Sequence, residues 1–352
     1  MSWTQKTLGE IVNLKRGFDL PSSSRINGPY PVFSSSGQTG THSEAAVKGP
    51  CVVTGRYGTI GQVFFSDAAC WPLNTSLYST EFKGNDPKFV YYLLKTIPWR
   101  DYLTASAVPG INRNHVHLCP VCVPDHETQT AISGVLGLLD NKIELNAKLN
   151  GYLVKACDVL YSNYAAGEQA AEWPMGTLED LLEIRYGKDH KKLNDGNIPV
   201  YGSGGYMRSV DRFLYSGESV LIPRKGSLNN VMYVREKFWT VDTMFYAVPK
   251  SPNVAKYAYQ FIKRLDLASM NSGSAVPSMT TKILNALPVP IPPKESLHAF
   301  DDQLQPYYSA ICANAIENEL LAALRDALLP KLMSGEIDVS KVDLTQLNSH
   351  LV

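Results

Sequence analysis

Hydrophobic and polar positions follow one rhythm over the first 125 residues and a different one directly after them. Short apolar runs such as 51–53 are separated by Gly, Pro, Ser and Asn, which is typical of β-strands. A helix is predicted around 88–96, and a strand that contains Pro120 follows at 118–123. Residues 173–293 repeat this order, so each of the two stretches is predicted to form a mixed α and β domain.

A heptad pattern follows each domain. Apolar residues recur at alternating spacings of four and three over about four heptads, as in the seam of a coiled coil. Asp125 is the predicted N-cap of the first helix, because its carboxylate can accept a backbone N–H from the first turn. The predicted seam consists of Ile132, Leu136, Leu139, Ile143, Asn146 and Asn150 in the first helix and of Leu304, Ile311, Asn314, Asn318 and Leu321 in the second.

Asparagine interrupts this seam at two matching positions in each helix. A buried asparagine in a seam lowers stability but fixes register and partner. The alternative is that these side chains lie at the solvated edge of the stripe. Because the positions recur, we favour the buried arrangement, with the two helices antiparallel within the chain. At about 1.5 Å per residue, roughly 40 residues would form a rod of roughly 60 Å that holds the two domains apart.

The two halves of the chain are copies of one unit. A shift of 168 residues places Arg56 on Arg224 and Tyr78 on Tyr246, and before Gly28 the shift becomes 170. An offset held over such a length indicates a duplication, and a repeat of this kind determines the architecture. We therefore predict an α+β fold. Two mixed α/β domains, related by a pseudo-twofold axis, would be joined by two long antiparallel coiled-coil helices.

The charge of the chain is divided between its segments. The 352 residues include 33 basic and 33 acidic side chains, yet 1–125 carries +3 and 173–293 carries +5, whereas 126–172 carries −3 and 294–352 carries −5. Basic domains on acidic helices predict that the domains contact a polyanion while the helices face another partner. Six scattered cysteines, no signal-peptide pattern and no long apolar run predict a cytoplasmic protein.

The motifs of several enzyme classes are missing from the sequence. The loop at 55–61 lacks the final Lys-Ser/Thr of a phosphate-binding loop, and we find no methyltransferase, nuclease or nucleophile-elbow motif. One cluster has the spacing of a zinc site and consists of His115, His117, Cys119 and Cys122. Its counterparts in the second copy are Ile283, Asn285, Leu287 and Pro290. We therefore expect no metal, no catalytic residue and a buried hydrophobic role for Cys119.

The end of the second helix contains the most specific motif. The run Leu-Arg-Asp-Ala-Leu-Leu-Pro-Lys-Leu-Met-Ser-Gly-Glu-Ile at 324–337 resembles the hallmark ending of the DNA-specificity subunits of type I restriction–modification systems. The chain is similar to that family over almost its whole length, in its domain and helix order, in the proline-rich strands and in Gly-Thr-Ile-Gly at 58–61. It departs from the family at Asp125, where a second proline is expected, and at Leu297, where a glutamine is expected.

The resemblance implies a non-catalytic subunit that binds double-stranded DNA. Each domain would read one half of a split, asymmetric sequence, and the helices would measure the unread spacer. Two methyltransferase subunits with S-adenosylmethionine would dock on the helices and methylate adenine, and two restriction subunits would use ATP with Mg, so this chain itself would hold no cofactor. The implied boundaries are 1–125 and 173–293 for the target recognition domains, 126–172 and 294–336 for the spacer helices, and 337–352 for a C-terminal tail.

Polar loops recur at three matching places, which are 34–39, 56–59 and 112–114 in the first domain and 203–208, 224–230 and 278–282 in the second. Arginine and amide side chains read base edges, and basic or small polar groups contact phosphates. Arg56 and Arg224 are identical although the domains should read different sequences, so we assign this pair to phosphate. The candidate base readers are Gln38, Asn112, Arg113, Asn229 and Asn230. The other candidates are Ser36, Thr39, Tyr57, Thr59 and Asn114 in the first domain and Ser203, Tyr206, Arg208, Lys225, Ser227, Thr280 and Lys282 in the second.

Two other functions fit the same sequence. One is a specificity subunit whose partner fuses cleavage and methylation in a single chain. The other is a scaffold whose duplicated domains bind acidic proteins instead of DNA. Binding to duplex DNA separates the scaffold from both DNA-reading alternatives.

Overall fold

A computed structural model describes residues 2–104, 109–270 and 278–342, so the last part of the predicted tail, 343–352, lies outside the described residues. The chain divides into two units. The first comprises Met1–Ala147 with Ala315–Val352, and the second comprises Lys148–Asn314. Among the helices of the described ranges, none is long and apolar enough to span a membrane.

The first unit is built from short strands and helices. In chain order these are β1 (Trp3–Thr7), α1 (Leu8–Ile11), β2 (Asn13–Arg16), β3 (Tyr30–Ser34), β4 (Gly37–His42), β5 (Cys51–Gly55), β6 (Val63–Ser66), β7 (Trp71–Pro72), β8 (Ser76–Glu81), α2 (Pro87–Thr96), α3 (Arg113–Val116), β9 (Pro120–Pro124) and the long helix α4 (His126–Ala166). One sheet has the order β2-β8-β5-β6, a second has the order β4-β3-β7, and β1 pairs with β9.

The second unit repeats these elements. They are β10 (Met175–Thr177), α5 (Leu178–Leu181), β11 (Leu182–Tyr186), β12 (Asp195–Gly202), β13 (Gly205–Val210), β14 (Tyr215–Pro223), β15 (Met232–Thr240), β16 (Met244–Pro249), α6 (Val254–Ile262), α7 (Thr281–Asn285), β17 (Pro288–Pro290) and the long helix α8 (Lys294–Met333). Its main sheet has the order β11-β16-β14-β15-β12-β13, and β10 pairs with β17. Strand β15 covers the positions of both β6 and β7, so one sheet here replaces the two of the first unit.

The repeat extends to the capping of the first short helices. Thr7 and Glu10 form a capping box at α1, in which the Thr7 N–H and hydroxyl donate to the Glu10 carboxylate. Thr177 and Asp180 form the same box at α5, 170 residues further on. These backbone N–H bonds lower the pKa of both carboxyl groups. The predicted duplication is therefore confirmed at the level of single hydrogen bonds.

The long helices are anchored in the cores of the two units. In the first unit Leu8, Phe89, Ile132 and Leu332 belong to one buried cluster, which joins α1 and α2 to α4 and the end of α8. In the second unit the buried cluster includes residues of both long helices in the same way. Each mixed domain thus packs directly on the helix pair of its own unit.

The ends of the long helices differ slightly from the prediction. Asp125 is the N-cap of α4, as expected, because its carboxylate accepts the Thr128 N–H at 2.9 Å, and this bond lowers the pKa of the Asp125 carboxyl. Both long helices end several residues before the predicted C-terminal ends at 172 and 336. Helix α4 ends at Ala166, before Gly167 and a 3-10 turn, and α8 ends shortly before Gly335, whose φ of 76° cannot continue a helix.

Candidate nucleic-acid interface

In the first unit the three predicted loops lie against one another. Gly58, with a φ of 76°, lies beside the turn between β3 and β4, since a Cβ added to it would be 3.3 Å from Ser35 Oγ. The third loop is bonded to the second, because the Ile111 N–H donates to the Arg56 carbonyl at 2.9 Å. The loops therefore form one continuous polar edge.

The second unit has the same edge. A Cβ added to Gly226 would lie 2.7 Å from Ser203 Oγ, and the Met279 N–H donates to the Arg224 carbonyl at 2.9 Å. Asn230 Nδ2 adds a bond of 2.8 Å to the Ser203 carbonyl, so it holds the first loop to the second. The matching backbone bonds place Arg56 and Arg224 at equivalent positions in the middle of each edge.

The predicted DNA-contacting side chains are accessible, and none of them is fully buried. The exposed ones are Ser36, Gln38, Thr39, Arg113, Asn114, Tyr206, Lys225, Ser227, Asn229 and Lys282. The half-buried ones are Arg56, Tyr57, Thr59, Asn112, Ser203, Arg208, Arg224, Asn230 and Thr280.

Asn112 and Thr280 begin the short helix of the third loop in each unit. Asn112 Oδ1 accepts the Asn114 N–H at 3.0 Å, and Thr280 Oγ1 accepts the Ile283 N–H at 3.3 Å. Both are N-caps of the kind that Asn and Thr favour. Such a cap fixes one side-chain oxygen and presents the first turn, with Arg113 or Lys282, on the surface.

Several candidates of the second domain also bond within the domain. Asn229 Nδ2 donates to Asp266 at 3.0 Å, which lowers the pKa of that carboxyl, and Asn229 Oδ1 accepts the Ala268 N–H at 3.0 Å. Arg208 donates to the Leu193 carbonyl at 2.6 Å. These long-range bonds hold neighbouring loops in place and leave no trace in the sequence. The base-reading assignment of Asn229 stays a prediction.

A groove of about 700 Å³ in the first unit brings the second and third loops together with the end of β2. Its basic and polar lining includes Arg56, Tyr57, Asn112 and Arg113, all of them predicted, and also Lys15 and Arg16, which were not. The last two are exposed residues at the end of a strand whose Leu14 is buried. The signal in the sequence that could have identified Lys15 and Arg16 is a pair of basic residues at the end of a predicted strand.

The histidine and cysteine cluster has ordinary structural contacts. His117 Nε2 accepts the Leu14 N–H at 3.0 Å, and burial is the main cause that lowers the pKa of this imidazole. Cys119 is buried in the core, as expected, whereas Cys122 is exposed on β9. In the part of the chain that the structure describes, no three His, Cys, Asp or Glu side chains are grouped as metal ligands.

Asparagines cross the antiparallel helix pair in the first unit. Asn146, which is 2% exposed, donates from Nδ2 to Asn318 Oδ1 at 3.0 Å, and Asn318 Nδ2 donates to the Ile143 carbonyl at 3.3 Å. Further along, Arg325 forms an ion pair of 2.7 Å with Asp140. Residue numbers fall on α4 as they rise on α8, so the helices pair antiparallel within this chain.

The second unit contains the equivalent bonds with the two helices exchanged, because the shift of 168 residues relates Asn146 to Asn314 and Asn150 to Asn318. Asn314 Nδ2 donates to Asn150 Oδ1 at 2.7 Å, and Asn150 Nδ2 donates to the Ile311 carbonyl at 3.2 Å. The asparagines are therefore bonded across the seam in both units. Of the other predicted seam residues, the structure buries Ile132, Leu136, Leu139, Leu304 and Leu321, while Ile143 and Ile311 are half-buried.

The fold and the loops define a class of protein with two copies of one α+β binding domain. Each copy has a loop edge rich in cationic and amide side chains. The profile of the family described as "Type I restriction modification DNA specificity domain" matches residues 1–153 and 170–323. The chain therefore belongs to this family and contains two copies of its domain.

Individual relatives agree with that assignment. The type I restriction enzyme HindI specificity subunit of Haemophilus influenzae is 33% identical over 95% of this chain and 99% of that protein. The MjaIX specificity subunit of Methanocaldococcus jannaschii is 24% identical over 72% of this chain and 70% of its own length. The crystal structure of a type I restriction–modification S subunit from M. genitalium covers 94% of this chain and 96% of its own, with a TM-score of 0.63 and 19% identity, and shares the fold.

Proposed function

We propose that this chain binds double-stranded DNA as the specificity subunit of a type I restriction–modification complex. Residues 1–125 and 173–293 are the target recognition domains, and each reads one half of a bipartite site. The observation that carries the proposal is that both units build a polar edge with matching backbone bonds around Arg56 and Arg224, whereas most other side chains on the two edges differ. One scaffold with two sets of side chains suits a site with two different halves.

The helix pair has a separate role in this proposal. Its length sets the number of unread base pairs, and its outer surface docks methyltransferase subunits. Large apolar side chains are exposed on the two helices, which a docked partner would cover. They are Leu145, Ile316, Leu320 and Leu324 in the first unit and Leu149, Tyr152 and Val159 in the second. Methyl transfer with S-adenosylmethionine and cleavage with ATP and Mg belong to the partner subunits.

Salt-sensitive binding to duplex DNA tests the proposal. With several phosphates contacted, the affinity should fall by roughly a thousandfold between about 50 and 200 mM salt, because binding releases condensed counterions. The affinity is measured for the chain with and without a co-expressed methyltransferase subunit. If neither form binds duplex DNA while the chain binds an acidic protein, the scaffold function replaces this proposal.

Leu320→Glu is expected to weaken the binding of the methyltransferase subunit by roughly tenfold or more, because a charge replaces an apolar side chain that is 67% exposed. Binding is measured by titration of purified subunits, and helix content is checked by circular dichroism. The control is Glu319→Gln, one position earlier and also exposed, which should bind like the wild type. Equal affinity of both variants contradicts docking on this surface.

A further inference from the structure

The central arginine of each polar edge stacks on a tyrosine, but the tyrosine comes from a different element in each unit. In the first unit the Arg56 guanidinium lies 4.6 Å from the ring centre of Tyr57, its neighbour in the second loop. In the second unit Arg224 lies 5.4 Å from the ring of Tyr186, at the end of β11. A ring against its face orients a guanidinium and leaves the N–H groups at its edge for an anion.

The internal repeat shows that the tyrosine and the second cation occupy opposite positions in the two units. Lys225 occupies the place of Tyr57, and Arg16 at the end of β2 occupies the place of Tyr186. In the first unit Arg16 lines the same groove as Arg56 and Tyr57. Each unit therefore has one shared arginine, one tyrosine and one further cation, with the last two in exchanged positions.

The neighbouring backbone matches this exchange. Tyr57 forms a β-bridge with Gly110, and Lys225 forms the equivalent bridge with Ser278. A Cβ added to Gly110 would lie 2.2 Å from Tyr57 Cε1, so a side chain at position 110 would collide with the ring. Where the tyrosine is replaced by lysine, the facing residue has a side chain. Three positions have thus changed together while the arginine stayed the same.

The cations of these sites have weak or no ion pairs. Within the described residues, neither Arg56 nor Arg224 has a carboxylate oxygen within 4.0 Å, and Arg224 Nη1 donates only to the Asp242 carbonyl, at 3.2 Å. Arg16 reaches Asp19 at 3.5 Å, with both side chains more than half exposed. Such surface pairs contribute little, so these cations are available to an external anion.

We propose that Arg56 and Arg16, with Arg56 oriented by Tyr57, bind a backbone phosphate of the DNA. The equivalent site of the second unit consists of Arg224, Lys225 and Tyr186. This inference rests on the proposed function and adds the strand residues Arg16 and Tyr186 to the interface. Phosphates are the same at every sequence, so both domains keep this chemistry while their base-reading side chains differ.

Single substitutions test the phosphate contact in the complex with methyltransferase subunits. Arg56→Gln and Arg16→Gln should each weaken binding by about tenfold and lower the slope of log affinity against log salt by about one. The loss should be equal on a duplex with the recognised sequence and on an unrelated duplex, because phosphates carry no sequence. Circular dichroism confirms that each variant is folded.

An exchange variant separates stacking from charge. Tyr57→Lys alone adds a cation but removes the ring, and it should bind severalfold more weakly, whereas simple attraction to DNA predicts tighter binding. The triple variant R16Y/Y57K/G110S gives the first unit the arrangement of the second and should return to within about threefold of the wild type. Tyr57→Lys has one more positive charge than the wild type yet should bind more weakly, whereas the triple variant has the wild-type charge and again a ring beside Arg56, so affinity should follow the ring and not the charge.

The outcomes distinguish the two proposals. A wild-type complex that does not bind duplex DNA overturns the proposed function and this site with it. A wild type that binds, with Arg56→Gln and Arg16→Gln equal to it in affinity and salt slope, overturns the phosphate site alone. Loss of preference at one base pair with an unchanged slope assigns these residues to base reading and also overturns it.

Discussion

Replacing Lys256 with methionine is expected to lower the free energy of unfolding by about 3–5 kcal/mol. The Lys256 side chain is only 1% exposed, and Nζ lies 2.8 Å from Asp301 and 3.3 Å from Glu218. The lysine is on α6 and Asp301 is on α8, so the ion pair joins the second domain to its helix. Methionine would leave two poorly solvated carboxylates without a cation, which is the costly way to break a buried pair.

The duplication supplies a matched control for this experiment. Lys88 occupies the same position in the first unit, but it is 41% exposed and 4.0 Å from Asp67. Lys88→Met should therefore cost less than about 1 kcal/mol. Both variants are compared with the wild type by urea unfolding of the full chain. An equal effect of the two substitutions would contradict the role given to the buried pair.

A second-site change should rescue the Lys256 variant in part. Asp301 corresponds to Ser133 of the first unit, which is also buried. Adding Asp301→Ser to Lys256→Met removes one of the two carboxylates that the lysine no longer neutralises. Serine is the residue that the first unit has at this position. The double variant should thus be more stable than Lys256→Met alone.

A chain with two copies of its second domain is expected to recognise a palindromic bipartite sequence. In this chimera, residues 1–125 are replaced by a copy of 173–293. The asparagine bonds are the same whichever helix is taken first, in keeping with the pseudo-twofold relation that the repeat predicts. Under that relation, two identical domains should read the same half-site in opposite directions. All methylation at the native site should be lost, because the half-site of the first domain is no longer read.

The helix surface must change with the domain in this chimera. In the first unit Tyr92 donates to Asp140 at 2.6 Å, and Gln129 Nε2 donates to Asn85 at 2.9 Å. The second domain contacts its helix through different side chains, since Gln260 Nε2 donates to the Tyr308 hydroxyl at 3.1 Å at the positions of Tyr92 and Asp140. The chimera therefore includes the second-unit residues at three helix positions, through Gln129→Leu, Asp140→Tyr and Arg325→Cys. Mapping of methylated adenine gives its sequence, and an asymmetric sequence would contradict the predicted pseudo-twofold relation of the two domains.

The sequence predicted the architecture well because the decisive patterns are periodic. Heptad spacing located both long helices, and the recurrence of the asparagines correctly favoured an antiparallel pair. The prediction that the asparagines are buried holds for Asn146, whereas Asn150, Asn314 and Asn318 are half-buried. Local capping rules identified Asp125. The helix ends were less predictable, since Gly167 and Gly335 stop the helices within stretches that still look helical.

The site was harder to predict because its residues meet only in three dimensions. The strand ends that hold Arg16 and Tyr186 are about 40 residues from the loop arginines, and only the sheet brings them together. The long-range bonds of Asn229 and the burial of Lys256 also depend on the fold. The equivalence of the Arg56 site and the Arg224 site is also hard to see in the sequence. The repeat aligns the tyrosine of the first unit with a lysine, and the tyrosine of the second unit with an arginine.

Mapping of methylated adenine in a host that expresses this chain with its methyltransferase subunit tests most directly whether two domains read two half-sites. The expected sequence is bipartite, with two different specified halves separated by a fixed number of unspecified base pairs. Substitutions at Arg113 should relax one half only, and substitutions at Asn229 should relax the other. A continuous methylated sequence, or one that both substitutions relax at the same base pairs, would contradict recognition by two separate domains.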